Sequence, residues 1–170
     1  MDLVDVIESK RFLGGEFLTW LWFWSHRRNG RFDLDGLGPI ELEFADQLVL
    51  DAFLAEAEQS RLSGGAPSYS PEAKTALRMG KRVSKAKLKL RREERDWVFS
   101  VTAADFHFSG VRVPATLKEP EEKTLDRFAL IEELDEVFIA LYRQFLNQRL
   151  SDQWPKINQE LEQWAHQDDS

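Results

Sequence analysis

The chain has 170 residues, 42% of them hydrophobic and 12% aromatic, which suits one domain with a substantial core and leaves little for a second. Having no cysteine, it forms no disulfide, thiolate zinc site or cysteine nucleophile; its acidic start, MDLVDVIESK, is unlike a signal peptide, and no apolar run approaches the roughly 18 residues that cross a bilayer. The formal charge of −7 opposes indiscriminate approach to nucleic acid or acidic lipid, so composition points to a soluble cytoplasmic protein with no membrane partner.

Gly14 and Gly15 precede Phe17, Leu18, Trp20, Leu21, Trp22, Phe23 and Trp24. The run reads as a helix apolar on most sides, opened by the glycines and closed by Asn29-Gly30, with Arg27 and Arg28 in its last turn. Such a helix belongs at the centre of the fold. PIELEF (39–44) and QLVLDAF (47–53) alternate apolar and polar residues about Ala45-Asp46, which predicts two short antiparallel strands in a hairpin. The segment EQSRLSGGAPSYSPE predicts an exposed loop. It ends at a helix start, with Ser70 as N-cap, Pro71 at the first position and Glu72 in the first turn, and that helix runs to about Gly80.

GKRVSKAKLKLRRE, residues 80–93, breaks the acidic character of the chain. Between Lys74 and Arg95 ten basic residues accompany two acidic ones, a local balance of +8 that leaves −15 for the remainder. Read as a strand, the segment puts Ala86, Leu88 and Leu90 on one face and Lys85, Lys87, Lys89 and Arg91 on the other. The four cations then stand about 7 Å apart. Glu93-Glu94-Arg95-Asp96 predicts a turn, WVFSVTA (97–103) the returning strand, and FHFSGVRVP a further strand up to Pro114.

Beyond the polar loop TLKEPEEKT, apolar residues from Leu125 to Phe145 keep a 3.6-residue period and predict a helix to about Arg149. Ser151 is placed to cap a second helix carrying Trp154, Ile157, Leu161 and Trp164, and residues 165–170 read as a disordered tail. The sum is a single α+β domain over 1–170: antiparallel hairpin strands packed against an aromatic N-terminal helix and two C-terminal helices.

Catalytic chemistry has few candidates. His26, His107 and His166 fall on different elements without metal-ligand spacing, and there is no P-loop, GxGxxG or GxSxG, so neither cofactor nor enzymatic activity is expected. Pro71-Glu72-Ala73-Lys74 resembles the tail of a restriction-type Glu-x-Lys motif, but that motif needs a strand, whereas Ser70-Pro71-Glu72 starts a helix. Asp33 with Asp35, and Glu41 with Glu43, could hold a divalent ion for phosphodiester cleavage if they converged, or decorate a solvated strand face. Trp20, Trp22 and Trp24 suit base stacking in principle, and core or subunit interface more readily, because Leu and Phe interleave with them. The acidic residues Glu132, Glu133, Asp135 and Glu136 can pack within the molecule or meet a basic surface of another subunit. The lysine run serves either as a solvated face blunted against edge pairing or as a contact for phosphates.

RFLGGEFLTWLWF, PEAKTALRMGKRVSKAKLKL and FALIEELDEVFIALYRQFLNQRLSDQW, in that order from about Lys10 to Trp154, resemble the C-terminal half of the bacterial recombination-associated RdgC family. The resemblance implies sequence-independent DNA binding by a ring-like dimer with a positive inner surface, modulation of recombination, and a place at the nucleoid. It implies phosphate contact through Arg78, Lys81, Arg82, Lys85, Lys87, Lys89 and Arg91. Family members carry a further N-terminal half, so the implied partners besides DNA are a second copy or a separate chain supplying that half.

Overall fold

The computed structural model describes residues 3–51, 60–63, 71–115 and 120–167. In chain order these form α1 (Leu3–Arg27), β1 (Arg31–Leu34), β2 (Gly38–Asp51), β3 (Ser60–Ser63), α2 (Pro71–Arg78), β4 (Arg82–Arg92), β5 (Arg95–Thr102), β6 (His107–Arg112), α3 (Pro120–Arg149) and α4 (Trp154–His166). The six strands make one antiparallel sheet in the order β1-β2-β4-β5-β6, with β3 also paired to β2. Helices and sheet together give the α+β class that the sequence patterns predict.

Strand alternation fixes the inner face. Cross-strand rows Leu42–Leu90–Trp97, Phe44–Leu88–Phe99 and Leu48–Ala86–Val101 are all buried. Each large side chain among them contributes about 1.5–3 kcal/mol on leaving water. α1 lies against this face, with Phe17, Leu18, Trp20, Leu21 and Trp22 buried. Phe17 touches Phe138, Tyr142 and Phe145 of α3 edge-on or tilted, at centroid distances of 5.4, 5.1 and 5.5 Å. Trp20 donates its indole N–H to Gln148 at 3.0 Å. The tryptophans of α1 are therefore structural: Trp20 and Trp22 are core, and half-buried Trp24 stacks on Trp20 at 5.8 Å.

α1 starts well before Gly14, and the glycines sit inside it instead of opening it. Gly14 is a contact point: a Cβ built there would fall 2.0 Å from the Ala103 carbonyl oxygen, so only hydrogen lets the helix lie this close to the end of β5. One turn on, Thr19 donates its hydroxyl to Gly15 O at 2.7 Å and accepts the Val83 N–H at 2.9 Å. That bond pins α1 to an irregular place in β4. Val49 pairs with Lys85 while Leu50 pairs with Val83, so β4 carries one extra residue there, a β-bulge at Ser84.

The hairpin expected about Ala45-Asp46 is instead the single long strand β2, in which a second irregularity lies between Phe44 and Leu48. Ala45-Asp46 provides neither glycine nor a left-handed position, and the chain passes straight through. The true hairpin partner is β1, unexpected from sequence, joined through Asp35-Gly36 with Gly36 at φ 77. Part of the expected loop, Ser60–Ser63, pairs with the far half of β2. The predicted Ser70 N-cap lies outside the described residues. Ser151 caps the turn before α4 rather than the helix itself: its hydroxyl donates to Gln148 O and accepts the Gln153 N–H, and Gln153 is the N-cap residue. The tail expected over 165–170 does not include its first residues, since Ala165 is buried in α4 and Gln167 O accepts from Lys74, and 168–170 lie outside the described residues.

Candidate nucleic-acid interface

The sheet's second face carries no helix among the described elements, and its cross-strand rows are polar. From one end they run Arg31–Glu41–Arg91–Asp96, then Glu43–Lys89–Val98–Arg112, then Lys87–Ser100–Ser109, then Val49–Lys85–Thr102–His107. Lys85, Lys87, Lys89 and Arg91 thus form a ladder along the middle of β4, as the parity of the sequence predicts. The bulge at Ser84 resets that parity once and precedes all four. Opposite charges face each other at the Arg91 end, where Glu41 opposes Arg91, Glu43 opposes Lys89 and Asp96 lies 3.8 Å from Arg91, and again beyond the bulge, where Asp51 opposes Arg82. Toward Lys85 the cross-strand neighbours are Ser100, Ser109, Thr102, His107 and Val49.

The seven basic residues singled out from the sequence do not share one surface. Arg78 turns to the helical layer, donating to Ala165 O at 3.2 Å and to Thr75 at 2.9 Å. Lys81 is half-buried just after the α2 C-terminus, where Gly80 at φ 88 closes the helix and the Lys81 N–H bonds Ala76 O. Arg82, at the mouth of β4 before the bulge, is partly covered. Burial pulls its guanidinium pKa below the usual value, while the carboxylates of Glu16 on α1 and Glu162 on α4 act in the opposite direction. Basic density in sequence thus splits into a ladder on the open face and a set that staples α2, α4 and β4 together. Lys74 belongs to the second set: only 3% exposed, it sits 5.0 Å from the centre of the Trp164 ring.

That placement also answers the Glu-x-Lys question, because Glu72 opens a helix and Lys74 is buried against an indole. Asp33 lies opposite Pro39, and Glu41 and Glu43 face cations instead of one another's metal. No cluster of three histidine or acidic side chains suited to a metal ion occurs among the described residues. No helix among them is long and apolar enough to cross a membrane.

A cavity of about 540 Å³ adjoins the ladder at its mixed-charge end. Its origin is the incomplete cover of β2: β1 pairs only as far as Glu41 and β3 begins at Gln47. In the gap, the last turn of α1 supplies Ser25, donating its hydroxyl to Leu42 O at 3.1 Å, and the turn after it supplies Gly30 O, accepting the Leu42 N–H at 2.7 Å. Trp22, Leu42 and Phe44 give the cavity a buried apolar floor, and Lys89, Arg91, Glu41 and Glu43 a charged rim. The Trp22 indole nitrogen has no hydrogen-bond partner. No protein-family model, curated protein or solved structure matches this chain.

Sequence reasoning missed Arg112, which joins the ladder through Val98, and missed the pairing of Glu41 and Glu43 with it. The acids were visible as an alternating pair. Their role depends on register, which no local pattern in β2 specifies.

Proposed function

We propose that this is a non-enzymatic, sequence-independent nucleic-acid-binding protein that holds a phosphate backbone on the open face of its sheet. The observation that carries the reading is the ladder Lys85–Lys87–Lys89–Arg91, four cations at alternate positions of one strand. A strand repeats its outward side chains about every 7 Å, so the ladder offers regularly spaced charge to a polyanion. Each phosphate neutralised releases condensed counterions, a gain that does not depend on base sequence. Around Lys87 and Lys85 the cross-strand neighbours on β5 and β6 include Ser100, Ser109 and Thr102, hydroxyls that both donate and accept and so discriminate bases little. The resemblance to RdgC adds DNA as the polymer, recombination as the setting and the nucleoid as the place. Binding of a random-sequence oligonucleotide that weakens with salt, and that is lost when the lysines are neutralised, tests the proposal.

A second reading, an assembly subunit that docks another chain, is favoured by the start of α3. Leu125 and Phe128 are 74% and 62% exposed there. Leu125→Glu with Phe128→Glu is expected to reduce the mass measured by sedimentation if these residues join chains; an unchanged mass removes this reading.

A further inference from the structure

The cavity beside the ladder has three kinds of chemistry within one enclosure. Its floor of Trp22, Leu42 and Phe44 is apolar and buried, fit for a flat ring. Trp22, 1% exposed, packs edge-on against Trp164 at 4.8 Å and holds that floor rigid. Glu41 and Glu43 supply acceptors for amino or hydroxyl hydrogens, while Lys89 and Arg91 supply charge for an anion. A nucleotide presents this combination: a heteroaromatic ring with acceptors, amino or hydroxyl donors, and phosphate. The volume, about 540 Å³, lies inside the range of about 300–1,000 Å³ common for small-ligand sites.

Lys89 and Arg91 are rungs of the ladder and rim of the cavity at once. We propose that the cavity receives one base of a single strand whose flanking phosphates lie on the ladder, a refinement that rests on the nucleic-acid reading above. The mixed-charge end of the ladder then has a purpose that phosphate contact alone does not give it. Carboxylates repel a backbone, yet they accept hydrogen bonds from a base or sugar that enters beside it. A base locked in a duplex cannot enter without leaving its pair, so the site favours single strands and strand ends over closed duplex.

The test compares two single strands of equal length and phosphate number, one with mixed bases and one abasic throughout, by fluorescence anisotropy with the full chain. The mixed-base strand is expected to bind roughly 5- to 150-fold more tightly, the effect of seating one base, with the same salt dependence. Glu43→Gln, on the solvated rim, and Trp22→Phe, which keeps a ring but reshapes the floor, are each expected to shrink that ratio. Thermal melts confirm that each variant is folded. Equal affinity for the two strands overturns the base site while leaving the ladder in place. A ratio unmoved by both variants also overturns it, since the base is then seated elsewhere. Salt-dependent binding of neither strand overturns the base site and the nucleic-acid reading together.

Discussion

Replacing Lys85, Lys87 and Lys89 by glutamine removes three of the four charges on the β4 ladder and leaves Arg91. If every rung neutralises one phosphate, the logarithm of the binding constant falls with the logarithm of salt at a slope of about −3.6 for duplex and −2.8 for single strands. Raising salt from about 50 to about 200 mM then weakens the parent protein roughly 150-fold on duplex and 50-fold on single strands. In the triple variant the remaining rung gives slopes of about −0.9 and −0.7, and the same change in salt costs only about threefold. Anisotropy titrations of a labelled random oligonucleotide at several salt concentrations read these slopes directly. The side chains point away from the core, so stability should change by no more than about 1 kcal/mol, chiefly through loss of the Lys89–Glu43 cross-strand pair. Glu41→Gln with Glu43→Gln is the converse perturbation, expected to strengthen binding of an abasic strand by removing like charge beside the phosphates. A parent protein that does not bind at the lower salt, or a triple variant with the parent's slope, refutes phosphate contact by the ladder.

Two further predictions concern the scaffold. Gly14→Ala gains helix propensity but places a methyl group against the Ala103 backbone, so α1 must shift off the sheet; a net loss of about 2 kcal/mol or more is expected in denaturant unfolding, and an unchanged midpoint would refute close contact there. The β4–β5 turn forces Glu93 and Glu94 to φ 51 and 64, a conformation of two left-handed residues that suits Asn-Gly. Glu93→Asn with Glu94→Gly should therefore stabilise the fold by about 1 kcal/mol or more, visible as a raised melting temperature, though Arg95 then loses its 3.2 Å pair with Glu93; a lowered one would contradict the turn geometry.

The elements legible in the sequence were those with strong local periodicity. β4 and β5 declared themselves because apolar and polar residues alternate without interruption from Lys85 to Arg91, and because Trp97, Phe99 and Val101 take every second place in a run of strand-forming residues. α3 declared itself by its apolar repeat. β2 misled because its interruption at Ala45-Asp46 is a bulge, and bulge and turn both break alternation. β1 and β3, four residues each, are too short to show a period and exist because β2 offers them an edge. At the site, the lysine ladder followed from parity alone. The diversion of Arg78 and Lys74 into the helical layer did not, because it depends on where α4 comes to rest, and contact between Ala165 and Arg78 spans 87 residues of chain. The cavity was equally hidden, being defined by where two neighbouring strands stop.

The extra residue at Ser84 divides β4 into two phases that share a single strand. Val83 points inward to the core, and three positions later Ala86 does the same, where an uninterrupted strand would have needed an even count. Without the bulge, a strand that kept Ser84 would face a choice: either Val83 turns out to water and surrenders its bond to Thr19, or all four cations swing toward Trp97 and Phe99. Neither outcome is tolerable to a core packed on both sides of that point, so the bulge lets one strand serve Thr19 and the ladder together, and deleting Ser84 would leave both in phase by setting Val83, Lys85 and Ala86 opposite Leu50, Val49 and Leu48.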